Sequence, residues 1–348
     1  MSRSRENPVV MADITSIGGA AFDVFIRAPH ATGYDAAGNY FLQFPLGAKV
    51  KVESVVQGCG GGAANTSVGF ARLGMSARFC GVIGDDEWGQ EIQKTLHDEG
   101  VATDAAIVVE KETSSFSIVL VDSASGERTI LYSPNVNAHM QKAIFAKEIL
   151  QKSHWLFLNH LADVSANIID DCLELVTKTK GLHFAWNPGG SQIQNGMLAS
   201  VTSALLRYTD ILFLNAEEAA IFTAEPLKGD RTQSVTAALR KGIQAGVKIF
   251  CITDAENGAY LSDGKTVFHA TPPVTTRIID TTGGGDAFAV GVTWGVFTGL
   301  SLQDALQAGM LNAASVIGVV GTQPGLLRKD EMRQRLSTHP LPVTSFAL

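Results

Sequence analysis

Asp286 follows three consecutive glycines, Gly283, Gly284 and Gly285, in the stretch DTTGGGDAF (280–288). The residues from Ala287 onward are apolar and helix-compatible, so the glycines are expected at a helix N-terminus. There they let backbone N–H groups approach an anion closely, with the positive end of the helix dipole behind them. A carboxylate beside a bound phosphoryl group is a poor ligand for it. It is suited instead to take a proton from a nucleophile that attacks phosphorus. A helix cap after a glycine turn is the plainer alternative for Asp286. Three further spots combine glycines or amides with chain turns. In GCGGGAANTSVGFARLG (58–74), Asn65 falls in the first turn of another helix, behind four glycines. In LNAEEA (214–219), Asn215 and Glu218 are three apart at a helix start. That spacing presents an amide and a carboxylate to a hydrated Mg2+ on nucleotide phosphates, or simply forms a capping box. In ITDAENGAYL (252–261), Thr253 ends a strand and Gly258 begins a turn, which places a hydroxyl within reach of phosphate.

These residues must be held by a scaffold, and its outline is an alternation of strand and helix. WLFLN (155–159), LHFAWN (182–187), DILFLN (210–215) and VKIFCIT (247–253) are short continuous apolar runs separated by helical segments. That pattern predicts βα units and a parallel sheet covered on both faces, with ligands beyond the C-terminal strand ends. Two regions break it. Residues 24–56 and 105–133 read as antiparallel strands that meet in one small sheet beside the large body. The expected division is a large α/β domain over 11–23, 57–104 and 134–330, the small β-sheet over 24–56 and 105–133, and a loose tail over 1–10. Gly58, Gly60 and Ala63 match G-x-G-x-x-A, but after an inserted strand rather than at the first βα turn, which disfavours a dinucleotide site.

Composition narrows the function further. The 348 residues are 45% hydrophobic and 18% charged, with a net charge of −7. A general nucleic-acid binder would need a basic stripe instead. No apolar run reaches membrane-spanning length and no signal-peptide h-region is visible, so neither membrane nor export is expected. Cys59, Cys80, Cys172 and Cys251 lack metal-site spacing and read as buried apolar residues in a reducing compartment, so a cytoplasmic protein is expected. His160 and His183 are flanked by apolar residues and read as structural, and Trp186 as core. Phe22, Phe25, Tyr40, Phe41 and Phe44 could supply an aromatic slot from the small sheet.

In order and spacing the motifs resemble the ribokinase-like (PfkB) family of sugar and nucleoside kinases, from about Ser16 to about Gly325. GGGAANTSVGFARLG followed by GVIGDDEWG is similar to the family's N-terminal signature, DTTGGGDAF to its C-terminal one, NAEE to its N-x-x-E, and GERTILY (126–132) to a strand that closes the lid. The resemblance implies a three-layer α/β/α fold with a β lid. It implies transfer of the γ-phosphoryl group of ATP to a hydroxyl of a small sugar, with a nucleoside as the alternative acceptor. A non-catalytic binder on the same fold is the distant one. It assigns Asp286 as base and Gly283–Gly285 as anion hole. It places Asp23, Gly61 and Asn65 on the acceptor, and Asn215, Glu218, Thr253 and Gly258 along nucleotide and phosphate. Glu218 would hold Mg2+ through water, and Asp280 and Thr282, with backbone near Gly321, a monovalent cation such as K+. It also implies a homodimer through the lid. The chain departs from ribokinases proper at Gly62, where they carry Lys, and at Ala21, where they carry Asn. Ala255 stands where the family's T-x-G-x-x-G has Gly.

Overall fold

The computed structural model describes residues 11–27, 31–34, 40–121, 128–142, 145–161, 166–194, 200–225, 227, 230–273 and 278–348. Two sheets organise them. In chain order their strands are β1 (Ala12–Ile17), β2 (Ala21–Arg27), β3 (Ser54–Gly60), β4 (Ala77–Cys80), β5 (Phe116–Val121), β6 (Arg128–Ser133) and β7 (Ser153–Leu158). They continue with β8 (His183–Trp186), β9 (Ile211–Asn215), β10 (Ile249–Thr253), β11 (Ala259–Ser262), β12 (Thr266–Ala270) and β13 (Val343–Ala347). The large sheet runs β13-β12-β11-β10-β9-β8-β7-β1-β4. From β10 to β4 its neighbours are parallel, and β10 to β13 are antiparallel. The expected alternation therefore holds, including all four apolar runs.

Burial on both faces follows from strand periodicity. Leu156 and Leu158 of β7 join Phe184, Trp186, Leu212 and Phe250 in a core on one face. Phe157 joins Ala185, Phe213, Phe70 and Phe288 in the core on the other. Trp186 is fully buried, as expected of core. All four cysteines are free and buried, and desolvation pushes the Cys59 and Cys172 thiols up to about 12. His183, read as structural, is half-exposed, stacks on Trp155 and faces Asp210 at 3.3 Å. It stands at the first position of its strand, where the sheet has already opened to solvent.

The helices that matter for the site are α1 (Gly62–Arg72), α2 (Glu87–Asp98), α3 (Ala216–Thr223), α4 (Gly284–Phe297) and α5 (Leu302–Val316). Helix α2 is started by Asp86, whose carboxylate accepts from Gly89 N at 2.9 Å. It buries Ile92 and Leu96 and gives way at Gly100, with φ +73°. Helix α4 is apolar around its whole circumference and buried from Ala287 to Gly295, which is why it packs between α1 and α5 rather than at the surface.

The small sheet has the order β6-β5-β2-β3, with β2 and β5 parallel and the outer pairs antiparallel. It draws on the two regions that broke the alternation but not at the expected limits: β2 and β3 carry residues 21–23 and 57–60 into it, while Ile107–Val109 pairs with Val82–Gly84 instead. A short hairpin, Ala31–Tyr34 with Tyr40–Gln43, accompanies it. The expected turn at SASGE and the N-terminal tail lie outside the described residues. Trp88 of α2 stacks on Phe116 at 4.4 Å and lies parallel to Phe22 at 6.1 Å, so the small sheet is pinned to the large body on its outer side. Phe22 is thus committed to packing, and Phe25 is buried with Val119, Val121 and Val320. Neither offers an aromatic slot.

Candidate active site

Two concavities open at the C-terminal ends of the parallel strands. The first has a volume of about 370 Å3 and gathers Asp23, Gly61, Asn65, Thr282, Gly283 and Asp286. Residues far apart in sequence meet there because β2, α1 and α4 converge. Gly283 is the N-cap of α4 and adopts φ +79°, a conformation that an L side chain rarely tolerates. Gly284 and Gly285 already belong to the helix and have no positive φ. Asp286 sits in its first turn, where its Oδ2 accepts from Asn65 Nδ2 at 2.9 Å. Burial pushes its carboxyl up to about 6, against the opposing pull of the Asn65 amide.

Asp23 lies on β2 and is buried. Its Oδ1 accepts from Ser117 Oγ at 2.6 Å. Desolvation pushes it up to about 6, the Ser117 hydroxyl opposes the shift, and the charge of Asp280 adds to it. The glycine run before α1 makes room for this carboxylate: a Cβ at Gly60 would stand 1.7 Å from Asp23 Oδ2. Gly61 caps α1 with φ +88°, and a Cβ there would meet the Ala20 backbone at 2.7 Å. Asp280 is fully buried. Its carboxylate accepts from Thr282 N at 2.9 Å, Thr282 Oγ1 at 2.6 Å and Gly321 N at 3.1 Å, which ties the loop before α4 to the loop after α5.

The second concavity, about 700 Å3, is lined by Asn215, Glu217, Arg231, Thr253, Asp254 and Asn257, among others. Asn215 and Glu218 form a reciprocal capping box: Glu218 N donates to Asn215 Oδ1 at 2.8 Å, and Asn215 N donates to Glu218 Oε2 at 2.9 Å. Burial raises the Glu218 carboxyl, while the Asn215 backbone N–H and His160 oppose that and Glu217 adds to it. Gly258 follows Asn257 with φ +91°, and a Cβ there would meet the Ala270 carbonyl at 2.0 Å, so the turn itself requires glycine. Glu218 and Gly258 do not line this groove, although their neighbours do.

A family model for pfkB carbohydrate kinases matches residues 32–329. The chain belongs to the pfkB family of carbohydrate kinases. An uncharacterized sugar kinase of Archaeoglobus fulgidus is 25% identical over 262 residues, 75% of this chain and 99% of that protein. Ribokinase of Arabidopsis thaliana, solved with ribose and ATP, superposes with a TM-score of 0.76 at 21% identity, covering 94% of this chain and 99% of that one. A nucleoside kinase of Methanocaldococcus jannaschii does so with 0.72 at 17% identity, covering 95% and 100%. The fold is thus ribokinase-like, and the chain is a phosphotransferase of the class that acts on alcohol groups. No helix among the described residues is long and apolar enough to cross a membrane.

Several residues of this pfkB chain that face the first cavity carry no site role in the sequence reading: Ser117, Tyr132 and Asn137, and His160, which reads as structural there. His160 is the instructive miss. It is exposed, directly after β7, rather than buried among the apolar residues that flank it in sequence. Its Nδ1 lies 2.8 Å from the Pro188 carbonyl oxygen, which fixes the ring, and the left-handed Gly189 leaves space for it. The strand-end rule that pointed to Asn215 and Thr253 applies equally to His160.

Proposed function

We propose that the protein transfers the γ-phosphoryl group of ATP to a hydroxyl of a small sugar. The supporting observation is the single cavity that brings Asp23, Asn65 and Asp286 to the N-terminus of α4. Asp23 accepts hydrogen bonds from acceptor hydroxyls, with Gly61 and Asn65 completing the acceptor site. Asp286, with a carboxyl near the pH at which it can hold or release a proton, takes the proton of the attacking hydroxyl. The backbone N–H groups that begin α4, at Gly283–Gly285, stabilise the oxygens of the group in transit. Asn215 and Thr253 lie along the nucleotide in the second concavity, and Gly258 acts there only by shaping the turn that carries Asn257. The lid sheet covers the acceptor and keeps water from taking its place.

The donor set fits Mg2+ held mainly by nucleotide phosphates and water. Among the described residues no cluster of three or more His, Cys, Asp and Glu could hold a metal by itself, while Glu218 offers one partly desolvated carboxylate. A Mg2+ ion there would neutralise phosphate charge. The loop tied by Asp280 and Thr282 to Gly321 is the place for a monovalent cation such as K+, held by backbone carbonyls. We assign the protein to the cytoplasm, and the lid as the surface through which two copies pair.

A nucleoside acceptor is the second reading. It is favoured by the apolar wall of Val119, Ile130, Met140 and Leu161 in the same cavity, which could face a base. ADP release measured across hexoses, pentoses, sugar acids and nucleosides decides between the two. A sugar kinase turns over a free sugar far better than any nucleoside. The opposite ranking would favour the nucleoside reading, and ADP release with no acceptor would contradict both.

A further inference from the structure

Register sets three rows of side chains on the inner face of the lid sheet. Asp23, Ser117 and Tyr132 form the first, Phe25, Val119 and Ile130 the second, and Arg27, Val121 and Arg128 the third. The first two rows line or underlie the acceptor cavity. The third ends in two guanidinium groups, one on each side of Val121, about 10 Å apart at their Cα atoms by two strand spacings. Arg128 Nη1 donates to Thr281 Oγ1, and Arg27 Nη2 donates to the Ile279 carbonyl at a long 3.5 Å. Both partners are neutral. Among the described residues neither guanidinium is in an ion pair, and the Nε of each is buried with no acceptor. A guanidinium stays charged at any physiological pH, and a buried charged donor left unpaired is costly. Two such groups side by side, beside the loop that leads to Gly283, describe a site short of an anion.

We propose that Arg27 and Arg128 bind an anionic group carried by the acceptor, a carboxylate or a phosphate monoester, at the end remote from the reacting hydroxyl. This rests on the reading of the first cavity as the acceptor site. Asp23 and Arg27 share one face of β2, four residues or about 13 Å apart at Cα. Side chains reaching inward shorten that gap to the length of a sugar-sized molecule. Neither arginine lines the cavity around Asp23 and Asp286, so an acceptor with hydroxyls on Asp23 and its reacting hydroxyl at Asp286 reaches the arginine row only by extending its far end past Ile130, over the buried Phe25 and Val119. The arginine fork suits the planar carboxylate and the phosphate alike. The carboxylates of Asp23 and Asp286 repel an anion from the opposite end, so the same charges that bind also orient.

The test measures ADP release for matched neutral and anionic acceptors, glucose with gluconate and ribose with ribose 1-phosphate. It compares wild type with Arg27→Gln, Arg128→Gln and the double variant. The same compounds are titrated by thermal shift, which reads binding without turnover. Circular dichroism checks the fold, and Arg128→Lys, which keeps a cation, serves if the glutamine variants misfold. Wild type should favour the anionic member of at least one pair by about tenfold or more, and the double variant should lose at least about tenfold of that ratio. The responding pair tells carboxylate from phosphate. Preference for the neutral members in both pairs overturns the proposal. So does an equal loss for both members, which is the signature of arginines that touch the transferred phosphoryl group instead. Failure of the kinase reading is distinguishable: no acceptor of any class then supports ADP release, while the anion-dependent thermal shift and its loss in the variants can still be read.

Discussion

Asp23 and Asp286 are carboxylates that the fold holds against their own solvation, more strongly than Glu218. Both stand near 6, above the ordinary 3.8, and burial is the leading cause in each. The native state therefore keeps protons that the unfolded chain has released between about pH 4 and pH 6. The stability that comes from the neutral carboxyls is present below about pH 4 and is lost as pH rises through 6. Asp23→Asn removes that burden and can still accept from Ser117. At pH 7 it should stabilise the protein, by at most about 3 kcal/mol from the size of the shift, with the gain fading toward pH 4. It should at the same time weaken acceptor binding tenfold or more, because a carboxylate makes the stronger hydrogen bonds to hydroxyls. Thermal melts at both pH values and calorimetry with the acceptor check this. An unchanged melting temperature together with intact acceptor affinity would remove Asp23 from the site.

At the scale of elements, the entry into α4 separates two uses of glycine. Gly283 holds a left-handed conformation, and a Cβ there would stand 3.0 Å from the Thr322 Cβ. Gly283→Ala should therefore cost about 1–2 kcal/mol of stability along with activity. At Gly285 nothing lies within 4 Å and φ is not positive, so Gly285→Ala should melt no lower than wild type. A melting temperature lower for Gly285→Ala than for Gly283→Ala would contradict this account of the turn. Much of this architecture is legible in sequence. Continuous apolar runs announce buried parallel strands, and glycine clusters before helices announce Gly61 and Gly283. The capping box of Asn215 and Glu218 is legible as spacing, which alone favours the cap while leaving a metal role open. What was not legible depends on partners distant in the chain. Ser117 is ordinary in its own strand and becomes significant only because β5 pairs with β2 and delivers its hydroxyl to Asp23. Phe22 and Phe25 looked like a ligand slot, and only the position of Trp88 and Val320 shows them consumed by packing.

At the scale of the molecule, the lid exposes several large apolar side chains. Val55 and Leu131 are 49% and 53% exposed, and strand register places both on its outer face, beside Ile26 and Ile118. If two copies pair there, sedimentation should give the mass of a dimer, and Val55→Lys combined with Leu131→Glu should give a monomer. A wild-type monomer at working concentration would discard the lid interface. The central claim, that Asp286 is the base of a phosphoryl transfer, has a more direct test. With an acceptor that wild type turns over, ADP release and ATP binding are measured for wild type and Asp286→Asn. Asparagine keeps the size and the start of the helix but cannot take the proton. The rate should fall about 10²–10⁴-fold, while ATP still binds at least as tightly because a negative charge beside the γ-phosphate is gone. A folded Asp286→Asn that turns over within about threefold of wild type, as expected if the residue merely caps the helix, would contradict the account.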